Sequence, residues 1–235
     1  MWKPLAPCHD ADVSPTAQIV LLWLGFAGTH LVLSSLPVRQ RIVARVGENP
    51  FRGLYSLVAF AFFVPLVRTF FAHRHAGRWL WLVERGAGLR WAMYIGMGLA
   101  FVMLVASLVR PSPAGVVPGD PTPRGVYRIT RHPLVMSIAL FGALHLLPNG
   151  STADVAFFGG FVAFALAGAW HQDRRKLALG VPGFRAFYEA TPFLPFTGRD
   201  TLRGLRELSP VVVGAGIAAT AVVRYFHAAW FGGFG

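Results

Sequence analysis

A single cysteine, Cys8, among 235 residues leaves no partner for an intramolecular disulfide and no thiol set for a metal cage. Charge is scarce too: charged side chains make up 14% of the chain, where soluble domains carry roughly a quarter. That deficit excludes an ordinary water-facing surface. Acidic residues are the scarcest, 10 against 22 lysines and arginines. In a soluble protein such an excess of base points to nucleic acid. Here the basic residues stand in short loops between apolar blocks, where they act as topology signals and headgroup contacts. Nucleic acid is therefore set aside as a partner, and membrane lipid takes its place. No signal-peptide pattern opens the chain, because Lys3 is followed by Asp10 and Asp12 before any apolar run. The first span is expected to direct insertion itself.

What the chain has in quantity is hydrophobic residues, 54% of the total. They fall in blocks of about 15 to 21 residues, the length that crosses roughly 30 Å of hydrocarbon at about 1.5 Å per residue. The expected fold is all-α, a polytopic membrane helix bundle of five or six transmembrane helices. A tail over residues 1–17 precedes a transmembrane domain over 18–230. The first five candidate spans run from Gln18 to Leu36, Leu54 to Phe71, Trp91 to Val109, Pro133 to just before Pro148, and Val155 to Trp170. The sixth, less marked, runs from Val211 to about Trp230, with Arg224 and His227 snorkelling from its end. A short amphipathic segment, Phe184 to Tyr188, is expected at the membrane interface.

Loop charge orients the bundle. Arg39, Arg41, Arg45 and Arg52 follow the first span, Arg124, Arg128 and Arg131 precede the fourth, and Arg174, Arg175, Lys176 and Arg185 follow the fifth. The positive-inside rule puts these on the cytoplasmic side and both termini outside. One loop disagrees: Arg74, Arg78, Arg85 and Arg90 lie between the second and third spans, so either that loop breaks the bias or the second span is re-entrant.

Polar groups at membrane depth are costly and usually functional. Of eight histidines, His9 is in the tail, His73 and His75 sit in a basic loop, His132 and His171 are at helix ends, and His227 is near the C-terminus. His30 and His145 alone fall well inside apolar blocks. Counted from Gln18 and Pro133, each lies about 18 Å along its helix, from opposite ends, so both are expected near the midplane. Two imidazoles facing each other across a bundle can clamp a haem iron axially. Gly25, Gly28, Gly142 and Ala143 beside them would leave room for a flat macrocycle. The plainer alternative is that each ring hydrogen-bonds a neighbouring helix. Zinc is disfavoured, because no third ligand lies at a compatible depth.

At the start of the fourth span stands Arg128-Ile129-Thr130-Arg131-His132-Pro133. Pro133 biases His132 towards an extended backbone, and the free amides of the helix start, with two arginines, make an anion site. Such a site would take a haem propionate, a lipid phosphate or a nucleotide-like cofactor, unless it is an ordinary interfacial cap. Asp173 and Arg174, in Trp170-His171-Gln172-Asp173-Arg174-Arg175, end the fifth span on the same side, where Asp173 can pair with Arg131 or Arg128.

These residues carry a resemblance. Gly28-Thr29-His30 with Ser34-Ser35, and Gly47-Glu48-Asn49-Pro50-Phe51-Arg52-Gly53-Leu54-Tyr55-Ser56, are similar to the start of the NnrU family. Arg128 to Pro133, His145-Leu146-Leu147 with Asn149-Gly150, and Asp173-Arg174-Arg175 resemble its second half, over about Ile19 to Phe193 in all. The family includes bacterial proteins associated with nitrite and nitric oxide reduction and the plant 15-cis-ζ-carotene isomerase, a membrane haem b enzyme with two histidine ligands. The resemblance implies haem b on His30 and His145, as metal ligands and catalytic centre. Arg128, Arg131, His132, Asp173 and Arg174 are the expected cofactor-binding set. Gly142 stands where the isomerase has the cysteine of its redox ligand change, which bears against that switch and the isomerase mechanism. The Asn149-Gly150 end looks more like the bacterial branch, which implies a multi-pass protein of the bacterial inner membrane.

A fainter likeness is to membrane methyltransferases of the isoprenylcysteine carboxyl methyltransferase type. These carry Arg-His-Pro before a helix and use S-adenosylmethionine. Leu134 and Val135 depart from that pattern, and Glu189 is a partial match to its second motif. The expected function is thus an NnrU-type haem b protein linked to nitrogen-oxide metabolism. The alternatives are haem-dependent cis-trans isomerisation of a lipophilic polyene and S-adenosylmethionine-dependent methyl transfer. A further version makes the chain a non-enzymatic assembly or electron-transfer subunit.

Overall fold

A computed structural model describes residues 13–84, 86–115 and 119–232. Most of the N-terminal tail, with Cys8 and His9, and Arg85 of the second loop lie outside the described residues. Among the described residues ten helices follow in order: α1 Pro15–Ser34, α2 Leu36–Val46, α3 Glu48–Ala72, α4 Ala87–Val109, α5 Val126–Ile129, α6 Pro133–Leu146, α7 Thr152–Ala178, α8 Phe184–Ala190, α9 Thr201–Arg206 and α10 Pro210–Phe231. Five of them, α1, α3, α4, α7 and α10, are long and apolar enough to cross a membrane, and α6 is a shorter apolar helix. The protein is an all-α, multi-pass membrane bundle.

Contacts between helix ends give the order of crossing. Thr16 and Thr152 hydroxyls lie 3.0 Å apart, so α1 and α7 start at one end. Arg39 of α2 bonds Glu48 at the start of α3 at the other end, and Arg74 beyond α3 reaches the Phe231 carbonyl of α10 back at the first. The helices α1, α3, α4, α6, α7 and α10 therefore alternate in direction. Arg39, Arg41, Arg45, Arg128, Arg131, Arg174 and Arg175 gather at one end, the inner one by the positive-inside rule. The second span crosses fully. The re-entrant option falls away, and the loop with Arg74, Arg78 and Arg90 breaks the charge bias.

Local sequence explains the ends. Pro15, Pro37, Pro133 and Pro210 sit in first turns, where a missing amide hydrogen costs nothing. Gly47 joins α2 to α3 at φ 87°, a conformation that a side chain would resist. Ser151 caps α7, its hydroxyl accepting from the Asp154 amide at 3.2 Å and donating to the Asp154 carboxylate at 2.7 Å. The Asp154 carboxylate in turn accepts from His75 Nδ1 at 2.9 Å.

Two elements differ from sequence expectation. The arginine-rich stretch after the first span is the helix α2, whose apolar residues are interrupted by Arg39, Arg41 and Arg45. Phe184 to Tyr188, expected at the lipid interface, folds inward as α8, with Phe184 and Phe187 each 1% exposed. One turn brings both rings onto one face, against Tyr127 and Met136 in the inner core. The outer core is aromatic: Phe70 and Phe157 stack at 3.8 Å, and Trp23 Nε1 donates to the Phe157 carbonyl at 3.2 Å.

Candidate functional site

His145 is the penultimate residue of α6, and α6 has only 14 residues, about 21 Å of rise. The imidazole therefore stands at the outer end of the helix rather than at mid-depth. Its Nδ1 lies 2.8 Å from the Phe141 carbonyl oxygen. A carbonyl only accepts, so Nδ1 carries the proton and Nε2 of the neutral ring keeps its lone pair. The ring packs 4.3 Å from Phe141 and 4.9 Å from Phe158, and its centre is 6.5 Å from that of His227 on α10, tilted by 22°.

His30 lies one turn from the inner end of α1. Its ring is 4.6 Å from Tyr55 and 5.1 Å from Phe164. Two rulers give its separation from His145. Along α7, their ring contacts Phe164 and Phe158 are six residues apart, about 9 Å of rise and on different faces. Along α3, Tyr55 touches His30, while Phe70 packs 5.3 Å from Phe158, the residue under His145. Tyr55 and Phe70 are fifteen residues apart, about 22 Å. Two imidazoles on one metal need nitrogens about 4 Å apart, from bonds of about 2 Å each. As the helices stand, His30 and His145 pack against different residues of α7, Phe164 and Phe158. The expected common depth rested on helix starts at Gln18 and Pro133; α6 begins at Pro133, whereas α1 begins at Pro15, three residues earlier than counted.

The small residues expected to leave room are partly filled. A Cβ at Gly142 would lie 2.6 Å from the Phe158 carbonyl, so this glycine seats α7 against α6. At Gly25 the space is taken by the Phe62 ring, whereas a Cβ at Gly28 meets nothing within 4 Å.

The Arg-His-Pro segment is brought together with Asp173. Arg131 Nε donates to one Asp173 oxygen and His132 Nε2 to the other, each at 2.8 Å. A second Arg131 nitrogen bonds the Thr191 carbonyl at 2.8 Å, and the guanidinium lies 4.2 Å over the Tyr188 ring. All three residues are buried. The cation and ring expected to face an anionic cofactor instead face a carboxylate of the same chain, and they lock the inner ends of α6 and α7. Arg128 is turned outward to Asp200 at 2.9 Å and Glu207 at 3.0 Å. Arg174 is exposed, 5.1 Å over Trp170. Glu189, the partial methyltransferase match, faces Arg185 at 4.0 Å on the surface.

A groove of about 480 Å³ opens sideways between α4 and α10. Ile95, Gly98, Val102 and Ile217 line it, and Tyr94 and Arg224 stand at its outer end, one turn from His227. Sequence reading treated His227 as a snorkelling end residue and His171 and Arg175 as end-of-helix polarity. Their positions late in apolar spans were the available signal. Their neighbours on other helices were not legible.

With this geometry in place, the comparisons are specific. The family described as NnrU protein matches residues 18–233. The 15-cis-zeta-carotene isomerase, chloroplastic, of Zea mays is 29% identical over 191 residues, 79% of this chain and 52% of its own length. The protein of the same name from Arabidopsis thaliana is 27% identical over 197 residues, 80% of this chain and 53% of its own. The chain thus spans about half the length of the curated relatives it matches. No solved structure matches it.

Proposed function

The chain belongs to the NnrU family, and from that premise we propose that it is a haem b-binding protein of the bacterial inner membrane, linked to nitrite and nitric oxide metabolism. The observation that carries the haem reading is His145, an imidazole in an apolar setting whose Nδ1 is held by a carbonyl and whose Nε2 is left for a metal. A metal-ligating histidine is oriented in that way as a rule. Among the described residues the imidazole nearest to it is His227, and a centre-to-centre distance of 6.5 Å suits two rings on one iron. Two metal–nitrogen bonds of about 2 Å, plus about 1 Å from each nitrogen to its ring centre, give about 6 Å. We assign the ligand pair to His145 and His227 as the helices stand, because His30 lies a level away.

Haem in such a setting supplies redox or Lewis-acid chemistry whose reactivity follows axial ligation and the polarity of the walls. The residues of this chain hold the rings in place and exclude water. A second reading, isomerisation of a lipophilic polyene, is favoured by the names of the plant relatives and by the apolar groove between α4 and α10. No observation favours methyl transfer, since Arg131 and His132 are taken up by Asp173.

The test is the absorption spectrum of the protein purified in detergent, oxidised and reduced. A Soret band is expected, and it should weaken by on the order of tenfold at equal protein in His145→Ala and in His227→Ala, while His30→Ala keeps it. A band lost in His30→Ala but kept in His227→Ala would restore the pair named by sequence. A colourless protein that binds S-adenosylmethionine would end the haem reading.

A further inference from the structure

Buried side-chain nitrogen or oxygen atoms nearly always have a partner, and each exception asks for a missing ion or water. Among the described residues three such atoms lack one: His30 Nδ1, His171 Nε2 and Arg175 Nε. All three lie at one place, between the inner ends of α1, α3 and α7. His171 and Arg175 are four residues apart on α7 and so share a face. Arg175 reaches the Ser34 carbonyl at 3.2 Å, and Ser34 is four residues beyond His30 on α1. The His30 ring lies 4.6 Å from Tyr55. The nearby carboxylate, Glu48, is already held by Arg39 at 2.5 Å and Arg52 at 3.0 Å.

The composition of this cluster decides the sign of what completes it. A guanidinium has no acceptor and stays charged, so its free Nε–H requires an acceptor. A metal cation beside Arg175 is disfavoured by like charge, despite the two imidazoles. Water can accept one bond but does not balance a half-buried positive charge. An oxyanion does both: its several oxygens take Arg175 Nε–H together with a proton from either imidazole, and its charge offsets the guanidinium.

We propose that His30, His171 and Arg175 form a binding site for an oxyanion at the inner end of the bundle. The site rests on the assignment of the iron to His145 and His227, which leaves His30 free; if the site fails, the Soret band and its loss in His145→Ala and His227→Ala stay as expected. The anion is a free small oxyanion or the phosphate of an anionic lipid, since the site stands at headgroup depth and both present the same oxygens.

Thermal unfolding of the full chain separates these sources. In detergent with chloride as the control anion, saturating inorganic phosphate should raise Tm by about 4 °C or more. If the source is lipid, the rise appears instead on moving from phosphatidylcholine to phosphatidylglycerol nanodiscs. Arg175→Met keeps the length of the side chain while removing the orphaned donor. It should fold, lose the phosphate or lipid response and retain Tm in chloride; His171→Phe should behave alike. Either wild-type response, abolished in both variants, supports the site. A wild-type Tm indifferent to both probes, or a response undiminished in Arg175→Met, overturns it.

Discussion

Two faces of the inner end of α7 carry opposite kinds of polarity. On one, Asp173 receives Arg131 and His132, and every charge has a partner at hydrogen-bond distance. On the other, two residues along, Arg175 stands with His171 and His30 and three nitrogens find nothing. Both faces bring arginine and histidine together beside α7, but only the first includes a carboxylate. The difference separates polarity spent on architecture from polarity held open for a ligand, a distinction that burial or residue type alone does not make.

The comparison can be broken most forcefully on the paired side. Asp173→Ala strands a buried guanidinium and is expected to destabilise the protein by about 3–5 kcal/mol, read as a lower Tm or lost expression in detergent. Replacing Arg131, His132 and Asp173 together by apolar residues of similar volume should recover most of that loss, because no charge is then left unpaired. On the open side, Arg175→Met without added anion should change stability by less than about 1 kcal/mol, in either direction, by the same measurement. A loss on the scale of Asp173→Ala would erase the contrast.

The smallest effect sharpens it with a solvated pair. Glu207 accepts from the Gly125 amide at 2.8 Å and from Arg128 and Arg203 at 3.0 Å. The amide chiefly, with the arginines, holds its carboxyl below the usual range. A depressed carboxyl stabilises the fold above its unfolded value of 4.5 and loses that contribution as pH falls through the folded value. Glu207→Gln should flatten the acid limb of a Tm-versus-pH curve below about pH 4.5, by less than about 1 kcal/mol for so exposed a group.

The spans were legible because apolar length is set by the membrane, and Pro133 and Pro210 mark their helices at the first turn. α2 was not, since Arg39, Arg41 and Arg45 break up its apolar run, and neither was the inward fold of α8, which depends on Tyr127 and Met136 far away in sequence. Asp173 with Arg131 was named as a possible pair from their shared end of the bundle. The depths of His30 and His145 were counted from assumed helix ends: α6 does begin at Pro133, but α1 begins at Pro15, three residues before Gln18, which shifts the His30 ring by about 4.5 Å. Which face a side chain takes, and so whether His145 meets His30 or His227, is set by packing such as Phe158 against Gly142, which no single span encodes.

The groove between α4 and α10 faces the lipid sideways and has its one cation, Arg224, at the outer rim. A hydrophobic compound taken up there need never leave the bilayer. Its occupancy is then governed by mole fraction among the surrounding lipids and by two-dimensional diffusion. Dilution of the aqueous phase leaves binding unchanged, while dilution with added phospholipid weakens it.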